Sequence, residues 1–516
     1  MYNISMLPAS PLASIEPRLR PLLPADLYAA VWVDPSPTML ERVFAHLRTL
    51  QRILHDYTSR LLSERAPRPG EVRYEWQRGT LMFTDLAGFT RLMEANAGQG
   101  KTGTSSLLKV LNAYFAEMIE IVSKSGGDLL EFTGDALLVL FPANDRQNDV
   151  MQAVRAGLRM QRAMAHFAEI DSPEGQLQLR MRIGIHTGRF LTADIGTPRR
   201  MEHVLLGTAV QQAKLTESNG QNERVNLSLK AYERVRDQFR FEEGKPGYML
   251  VVDDLTDEQL GEYEIVPRRR MASSLLFERS VAGLVSEITE ALNAIEPLAA
   301  FIPAPVLNLL VESAADRRIP ADFPEPTVMF VNFLGLPELV DRALPGEEIK
   351  VVSSFSRAFA LINAAVEARG GVLKKITYHL AGSDIVIYFG VPNAHTNDAI
   401  RAVLAALAIR DIVQNIKPPT VGGVQPEITC QIGINIGATF VAEVGDPRGR
   451  REFNVLGDTV NTTARMMNRA GKNQIYVSGR VAEAVQARFE CLPLGSVSLK
   501  GKSAPQPIFE VTRALD

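Results

Sequence analysis

The chain repeats itself once, and the spacing between the two copies is the size of a domain. Residues 80–85 (TLMFTD) correspond to residues 327–332 (TVMFVN) at an offset of 247, and Gly184 corresponds to Gly433 at an offset of 249. A period of this length predicts two similar domains rather than a solenoid of short repeats. The 516 residues, of which 46% are hydrophobic and 22% charged, suffice for two such domains with cores of their own.

Composition excludes several classes of protein. The formal net charge of −3 gives no reason to expect binding to nucleic acid, and two cysteines, Cys430 and Cys491, cannot form a disulfide framework. Pro8, Pro11 and Pro17 interrupt the N-terminal region before the apolar core of a signal peptide can develop. The sequence also contains no run of about 18 apolar residues, the length that would predict a membrane span. We therefore expect a cytoplasmic protein with no membrane span and no nucleic-acid partner.

Each copy alternates strand-like and helical runs in the order β-α-β-β-α-β. In the first copy the strand-like runs are TLMFTD, LLEFTG, ALLVLF and LRMRIGIH, and the long helical runs separate the first from the second and the third from the fourth. This order is that of a ferredoxin-like core. We predict an α+β fold with four segments: an N-terminal helical extension over 1–75, a first domain over 76–250, a linker over 251–322 and a second domain over 323–516.

An apolar stripe with spacings of three and four predicts a helix within the extension. Its members are Leu40, Val43, Leu47, Leu50, Leu54, Tyr57 and Leu61. Such a helix either packs on the domains of its own chain or forms a dimerising coiled coil, and the first is favoured because coiled coils normally need more heptads. We expect the linker to fold over one of the domains, and we assign no function to its basic run at residues 268–270.

Two carboxylates at strand ends occur only in the first copy. Asp85 lies in FTDLAGFT and Asp135 in FTGDALLVLF, whereas the second copy has Asn332 and Ser383 at the corresponding positions. A pair of carboxylates on neighbouring strands can hold two divalent cations for in-line phosphoryl chemistry, and the backbone N–H groups of a small-residue turn can bind phosphate. The predicted metal-site residues are Asp85, Asp135 and Leu86, and the predicted phosphate contacts are Gly88, Phe89 and Thr90.

The second copy carries the complementary polar pair. Asn461 and Arg465 are four residues apart in VNTTARMM, so they share one helix face, while the first copy has Gln211 and Leu215 there. Each half is therefore incomplete, and two degenerate halves would form one complete site between them.

These motifs resemble those of the class III nucleotidyl cyclases over residues 80–511, and they are most similar to the soluble adenylyl cyclase type, which carries two cyclase halves in tandem. FTDLAGFT and FTGDALLVLF resemble that family's metal-binding segments, and NVLGDTVNTTARM resembles its ribose and transition-state segment. The resemblance implies two ferredoxin-like cyclase domains that form an intramolecular pseudo-heterodimer. It also implies one active site between them, two Mg²⁺ or Mn²⁺ ions and ATP as the substrate.

The resemblance also implies roles for individual residues. Asn461 would orient the ribose, and the Arg465 guanidinium would stabilise the charge that develops on the α-phosphate. Arg182, a charged residue on an apolar strand, needs a partner such as the triphosphate. Lys500, or Lys502 in its place, would reach the terminal phosphate.

Base recognition would depend on Lys375 and Asn454. The common family lysine position, three residues before the hairpin Gly382, holds His379 here, while the soluble type has its lysine seven residues before that glycine, at Lys375. An ammonium donor with an amide acceptor suits adenine, and an amide with its N and O atoms exchanged also suits guanine.

The soluble type also has a second, degenerate pocket that binds bicarbonate through a lysine and an arginine. Glu131 and Lys214 occupy those positions here. We expect them to neutralise each other and the pocket not to bind bicarbonate.

The function predicted from the sequence is conversion of ATP to cyclic AMP and pyrophosphate by an adenylyl cyclase. A guanylyl cyclase and a catalytically silent nucleotide-binding regulatory module stay open as alternatives. The resemblance leaves room for further C-terminal domains or a regulatory partner.

Overall fold

The computed structural model describes residues 11–145, 147–263, 279–316, 318–446, 449–498 and 505–515. The predicted phosphate ligands Lys500 and Lys502 and the basic run at 268–270 lie outside these residues. The helices are α1 Glu16–Leu19, α2 Ala25–Val33, α3 Pro37–Tyr57, α4 Arg60–Glu64, α5 Phe89–Ala97, α6 Gly100–Lys124, α7 Asp149–Ala163, α8 Thr208–Ser218, α9 Leu229–Tyr232, α10 Asp257–Leu260, α11 Val281–Ala299, α12 Ala304–Glu312, α13 Glu348–Glu367, α14 Asp398–Asn415, α15 Asp458–Met467 and α16 Gly479–Val485.

The strands are β1 Arg73–Ala87, β2 Asp128–Thr133, β3 Ala136–Pro142, β4 Ile170–Ser172, β5 Gly175–Leu177, β6 Arg180–Thr197, β7 Arg200–Leu206, β8 Val225–Ser228, β9 Phe241–Glu243, β10 Tyr248–Val251, β11 Thr327–Leu334, β12 Val372–Tyr378, β13 Ser383–Phe389, β14 Thr429–Ile436, β15 Phe440–Gly445, β16 Arg451–Leu456, β17 Gln474–Ser478, β18 Phe489–Val497 and β19 Gln506–Ala514. Short 3₁₀ turns lie at Arg20–Leu22, Met164–Phe167 and Pro337–Arg342.

The two domains have the same sheet topology. The first sheet has the strand order β2-β3-β1-β6-β8-β10-β9, with β7 paired to β6, and the second has β12-β13-β11-β14-β17-β19-β18, with β15 and β16 as a separate ribbon. In both, the first four strands in this order belong to a β-α-β-β-α-β unit whose neighbouring strands are antiparallel. The predicted ferredoxin-like core is confirmed in both copies.

Three apolar cores hold the molecule together. One lies between α6, α7 and the first sheet and also takes in side chains of β15, and the second lies between α13, α14 and the second sheet. The third core joins the N-terminal helices, the linker helices α11 and α12, and one face of the second domain. Burying this much apolar surface is what stabilises the contact between segments far apart in the chain.

Helix α3 is the centre of the third core. Its predicted stripe is buried from Leu40 to Tyr57, and α3 ends at Tyr57, so Leu61 lies beyond it in α4 and is half-buried. The helix packs on α11 and on the second domain, which confirms that it packs on its own chain.

The corner between α3 and α4 contacts both domains. The Tyr57 hydroxyl donates a hydrogen bond to Glu443 Oε2 on β15 at 2.6 Å. The backbone N–H groups of Arg60 and Leu61 donate to the Asp128 carboxylate on β2 at 3.3 and 3.1 Å. The N-terminal extension therefore spans the junction between the two halves.

Among the described helices, α13 has the length and apolar composition of a membrane span, with a mean hydropathy of 1.3 over its best window. Half of that window is buried, and residues such as Val351, Phe355 and Ile362 lie in the second core. A core helix of a domain has the same character.

Candidate functional site

The two predicted metal-binding carboxylates lie close together at one end of the first sheet. Asp85 is near the end of β1, and Asp135 is in the turn between β2 and β3, the strand that pairs with β1. Thr84 Oγ1 accepts a hydrogen bond from the Leu137 N–H at 3.0 Å and ties β1 to β3 beside them. Burial, and next the negative charge of Asp85, raises the pKa of Asp135 to about 7.

A chain of alternating charges runs from Asp85 into the first domain. The Asp85 carboxylate accepts from the Arg182 guanidinium at 2.8 Å, and Arg182 Nε donates to Glu217 Oε1 at 2.5 Å. The other oxygen of Glu217 accepts from Lys214 Nζ at 2.6 Å. The charge of Arg182 is therefore balanced by two carboxylates of its own domain. The sequence had suggested that a triphosphate must supply this partner.

The second domain reaches the same place through β12 and β16. Asn454 Nδ2 on β16 donates to the carbonyl of Gly134 in the β2–β3 turn at 3.1 Å. Lys375 Nζ on β12 donates to the carbonyl of Phe132 and forms an ion pair with Glu452 at 2.9 Å. The structure thus brings the two predicted base-recognition residues together on one hairpin of the first domain, where both bind backbone carbonyls.

Helix α15, which carries Asn461 and Arg465, begins against the first domain. Its N-cap Gly457 has φ of +133°, and a Cβ there would lie 2.8 Å from Sδ of Met93 on α5. Asn461 is exposed and Arg465 is half-buried. Contacts at Gly134 and Met93 therefore place the helix with Asn461 and Arg465, the predicted transition-state residues, next to the segments that carry the carboxylates.

The predicted phosphate contacts form the start of α5. Gly88 is the N-cap with φ of +96°, and a Cβ there would lie 2.4 Å from the Gln178 carbonyl oxygen, so only glycine fits. Phe89 and Thr90 are the first helical residues, and N–H groups of a first helical turn have no intrahelical acceptor. Such donors suit an anionic ligand. Leu86, predicted with the metal site, has a buried side chain in the first core.

The carboxylate pair fits a divalent cation. The described residues contain no group of three or more His, Cys, Asp and Glu side chains that could hold a metal, and Asp85 and Asp135 form a pair only. Burial and, next, the negative charge of Asp85 raise the pKa of Asp135, so the two carboxylates repel each other even though Arg182 binds Asp85. A divalent cation held by the two carboxylates would relieve the repulsion between them.

At the corresponding place in the other half, the site is closed. The cavity between the start of α8 and the β12–β13 turn has a volume of about 30 Å³. Asp341 Oδ2 accepts from the Thr208 N–H at 2.6 Å and occupies the start of α8. Ligand pockets typically measure about 300–1,000 Å³. A nucleotide therefore has no room at this second junction.

The predicted pairing of Glu131 with Lys214 is wrong. Glu131 lies at a bulge of β2 and faces Lys375 at 3.6 Å, while Lys214 faces Glu217 from the same helix. Neither residue lines the closed cavity. The reason is geometric: α8 packs on β1 and β6 of its own domain, so Lys214 lies over the ring of Phe83 at 4.5 Å, next to the predicted metal-binding carboxylates.

A family model described as the adenylate and guanylate cyclase catalytic domain matches residues 72–252 and 320–510. The chain belongs to the class III nucleotidyl cyclases. The first matched segment contains the whole first sheet, and the second contains the second sheet up to residue 510 within β19, so this cyclase carries two catalytic-domain folds in tandem.

Relatives of this cyclase include mammalian and bacterial adenylate cyclases. It is 25% identical to mouse adenylate cyclase type 10 over 460 residues, which is 84% of this chain and 26% of the mouse protein. It is 27% identical to adenylate cyclase 1 of Rhizobium meliloti over 45% of this chain and 34% of that protein. The chain thus spans about a quarter of the length of the mouse relative.

One solved structure is similar in fold to most of this chain. It is a class III adenylyl cyclase-like ATP-binding protein from Pseudomonas aeruginosa, with a TM-score of 0.54 and 15% identity over 87% of this chain and 95% of that one. At this identity the similarity concerns the fold alone.

Glu217 is the residue of the site that the sequence analysis missed. It is fully buried and binds both Arg182 and Lys214. Two signals could have found it: Lys214 and Glu217 have the i, i+3 spacing of a helical ion pair, and both are absent from the second copy, where Ala464 and Met467 stand.

Proposed function

We propose that this cyclase converts ATP to cyclic AMP and pyrophosphate at one active site between its two halves. The observation that carries the proposal is the division of labour: the carboxylate pair belongs to the first half, and the Asn461–Arg465 pair belongs to a helix of the second half that begins against Met93. The names of the relatives support the choice of an adenylyl cyclase.

In the reaction, the ribose 3′-oxygen forms a bond to the α-phosphorus, the bond from that phosphorus to the bridging oxygen breaks, and the 3′-hydroxyl proton is lost. Asp85 and Asp135 would hold two Mg²⁺ or Mn²⁺ ions. Bound divalent cations supply activation of the attacking hydroxyl and neutralise phosphate charge. Arg465 donates hydrogen bonds to the α-phosphate oxygens as their charge grows, and Asn461 holds the ribose in line.

The triphosphate would be bound by the start of α5 at Gly88, Phe89 and Thr90 and by Arg182. Arg182 would exchange its hydrogen bond to Asp85 for one to a phosphate, while Glu217 continues to hold its Nε atom. Lys500 is proposed for the terminal phosphate on the resemblance alone.

For the base, we propose adenine over guanine through Lys375 and Asn454. Because the two side chains already bind carbonyls of the first domain, base binding would exchange those hydrogen bonds for bonds to adenine. Catalytic efficiencies with ATP and GTP test this: a clear preference for ATP is expected, and a preference for GTP would assign the chain to the guanylyl cyclases.

The deciding experiment incubates purified protein with ATP or GTP and Mg²⁺ or Mn²⁺ and identifies cyclic products by mass spectrometry. Asp85→Ala and Arg465→Ala should each abolish the product. The matched controls, Asn332→Ala and Leu215→Ala, change the corresponding positions of the other copy and should retain activity. ATP binding without any product from the wild-type protein would instead indicate a silent nucleotide-binding module.

A further inference from the structure

The charge chain that begins at Asp85 exists in one copy only. In the second domain the strand register pairs Asn332 with Gln431, just as it pairs Asp85 with Arg182 in the first. There the ion pair is replaced by an amide pair, with Asn332 Nδ2 donating to Gln431 Oε1 at 3.0 Å.

The other two residues of the charge chain, Lys214 and Glu217, also have no charged counterpart in the second domain. Helices α8 and α15 both have a glycine N-cap, at Gly207 and Gly457, and counting from these caps places Ala464 at the position of Lys214 and Met467 at that of Glu217. The packing agrees: a Cβ at Gly184 would touch Glu217, and a Cβ at Gly433 would touch Met467. The four charged residues of the charge chain are therefore all present in the first domain, which carries the proposed metal-binding carboxylates. None of the four has a charged counterpart at the corresponding position of the second domain.

A buried carboxylate that binds two cations needs an explanation. Glu217 is 0% exposed; its Oε1 accepts from Arg182, and its Oε2 accepts from Lys214 and from the Ser218 hydroxyl. A carboxylate with one cationic partner would suffice for charge balance. The second cation leaves Arg182 shared between Glu217 and Asp85, so neither carboxylate holds it alone.

We propose that Glu217 is a positioning residue of the metal site: it holds Arg182 back so that the Asp85 carboxylate can exchange the guanidinium for a divalent cation. Lys214 sets how strongly Glu217 does so. With Asp85, Asp135 and Glu217 against Arg182 and Lys214, the five groups have a formal charge of −1, which attracts cations. Removal of the Glu217 charge would make the sum zero and leave Arg182 bound to Asp85 alone.

This inference rests on the proposed function, because it assumes that Asp85 holds a metal. The test measures Mn²⁺ binding to the full chain without nucleotide, by the electron paramagnetic resonance signal of free Mn²⁺. Glu217→Gln should weaken Mn²⁺ binding by roughly 10- to 100-fold, the usual effect of losing a group that supports a metal ligand. At saturating Mn²⁺ its kcat should return toward the wild-type value, so the change appears in the metal requirement.

Two further variants separate this role from a general loss of packing. Asp194→Asn removes another buried carboxylate bound to an arginine, Arg73 at 2.6 Å, on the same strand as Arg182 but at the opposite end of its pairing with β1. It should leave Mn²⁺ binding unchanged. Lys214→Gln removes a positive charge, and it should leave Mn²⁺ affinity equal to or higher than that of the wild type.

Wild-type Mn²⁺ affinity in a folded Glu217→Gln protein would overturn the inference, and so would a loss of affinity in Lys214→Gln as large as in Glu217→Gln. If Glu217→Gln does not fold, a Mn²⁺ affinity of Lys214→Gln below that of the wild type would overturn the inference, and an equal or higher affinity would support it. Failure of the proposed function looks different: the wild type would bind Mn²⁺ and release no cyclic AMP.

Discussion

At the scale of single residues, Asp384 on β13 is a buried carboxylate in the half without metal-binding carboxylates. Its Oδ1 has no hydrogen-bond partner, and burial raises the pKa of Asp384 to about 7, with His379 opposing this. Between about pH 4 and pH 7 the folded state therefore binds more protons at this site than the unfolded state does. The group makes folding less favourable as the pH rises to 7, and the penalty is constant above that.

Asp384→Asn should thus stabilise the protein at pH 8 and show a flatter dependence of unfolding free energy on pH. A shift of this size corresponds to at most about 4 kcal/mol at pH 8. Urea denaturation at pH 5, 6 and 8 measures the effect, with Asp411→Asn, at an exposed position on α14, as the control. Equal pH dependence in Asp384→Asn and the wild type would show that the charge is compensated.

Lys375 is a second residue with a consequence for stability. It and Lys374 bind Glu452, and burial alone would raise the pKa of Glu452, but Lys374, Lys375 and Arg450 together lower it to about 2. Removing one cation leaves buried negative charge uncompensated.

Lys375→Met should therefore lower the free energy of unfolding by about 3–5 kcal/mol, in addition to any effect on nucleotide preference. Lys472→Met, which breaks an exposed ion pair with Glu427, should cost less than about 1 kcal/mol. Urea unfolding of both variants at pH 7.5 gives the comparison. If Lys375→Met lowers the free energy of unfolding as little as Lys472→Met does, Lys375 can bind a base without destabilising the protein.

At the scale of elements, the N-termini of α8 and α15 occupy equivalent positions in the two domains, and of these two only that of α15 adjoins the proposed active site. Gly207 and Gly457 have φ values of +112° and +133° in a region that other residues avoid. An alanine at either position should cost roughly 1–3 kcal/mol of stability.

Only Gly457→Ala should also reduce kcat, because its Cβ would push on Met93 and displace the helix that carries Arg465. Thermal denaturation and initial rates for Gly457→Ala and Gly207→Ala test this pair. Equal kcat in the two variants would mean that the contact with Met93 does not position α15.

The elements themselves could be predicted from the sequence, because apolar periodicity, hairpin glycines and the repeat all favour the same β-α-β-β-α-β order in both copies. The polar partners could not. Glu131 and Lys214 are both charged and both near the junction, yet each binds a nearer residue, Lys375 and Glu217 respectively. Which charges meet depends on the register between domains and on the side of the sheet on which a helix packs, and a single sequence does not contain either.

At the scale of the whole molecule, the two halves form two junctions, and one of them is closed by Asp341. We therefore expect one active site per chain. The Asp85→Ala and Arg465→Ala variants of this two-domain chain, each inactive, should stay inactive when mixed, because each chain would supply both halves of its own site. Cyclic AMP formation from the mixture would show that domains of different chains combine.

The third core, in which α3 packs on the linker helices and on the second domain, has a kinetic consequence. A site shared between separate subunits forms in a second-order encounter and is lost on dilution. In this protein both halves of the proposed site belong to one chain, and the N-terminal helices pack across their junction. Assembly of the site is therefore a first-order event, and its equilibrium does not depend on the protein concentration. Turnover per molecule should then be the same at nanomolar and micromolar protein.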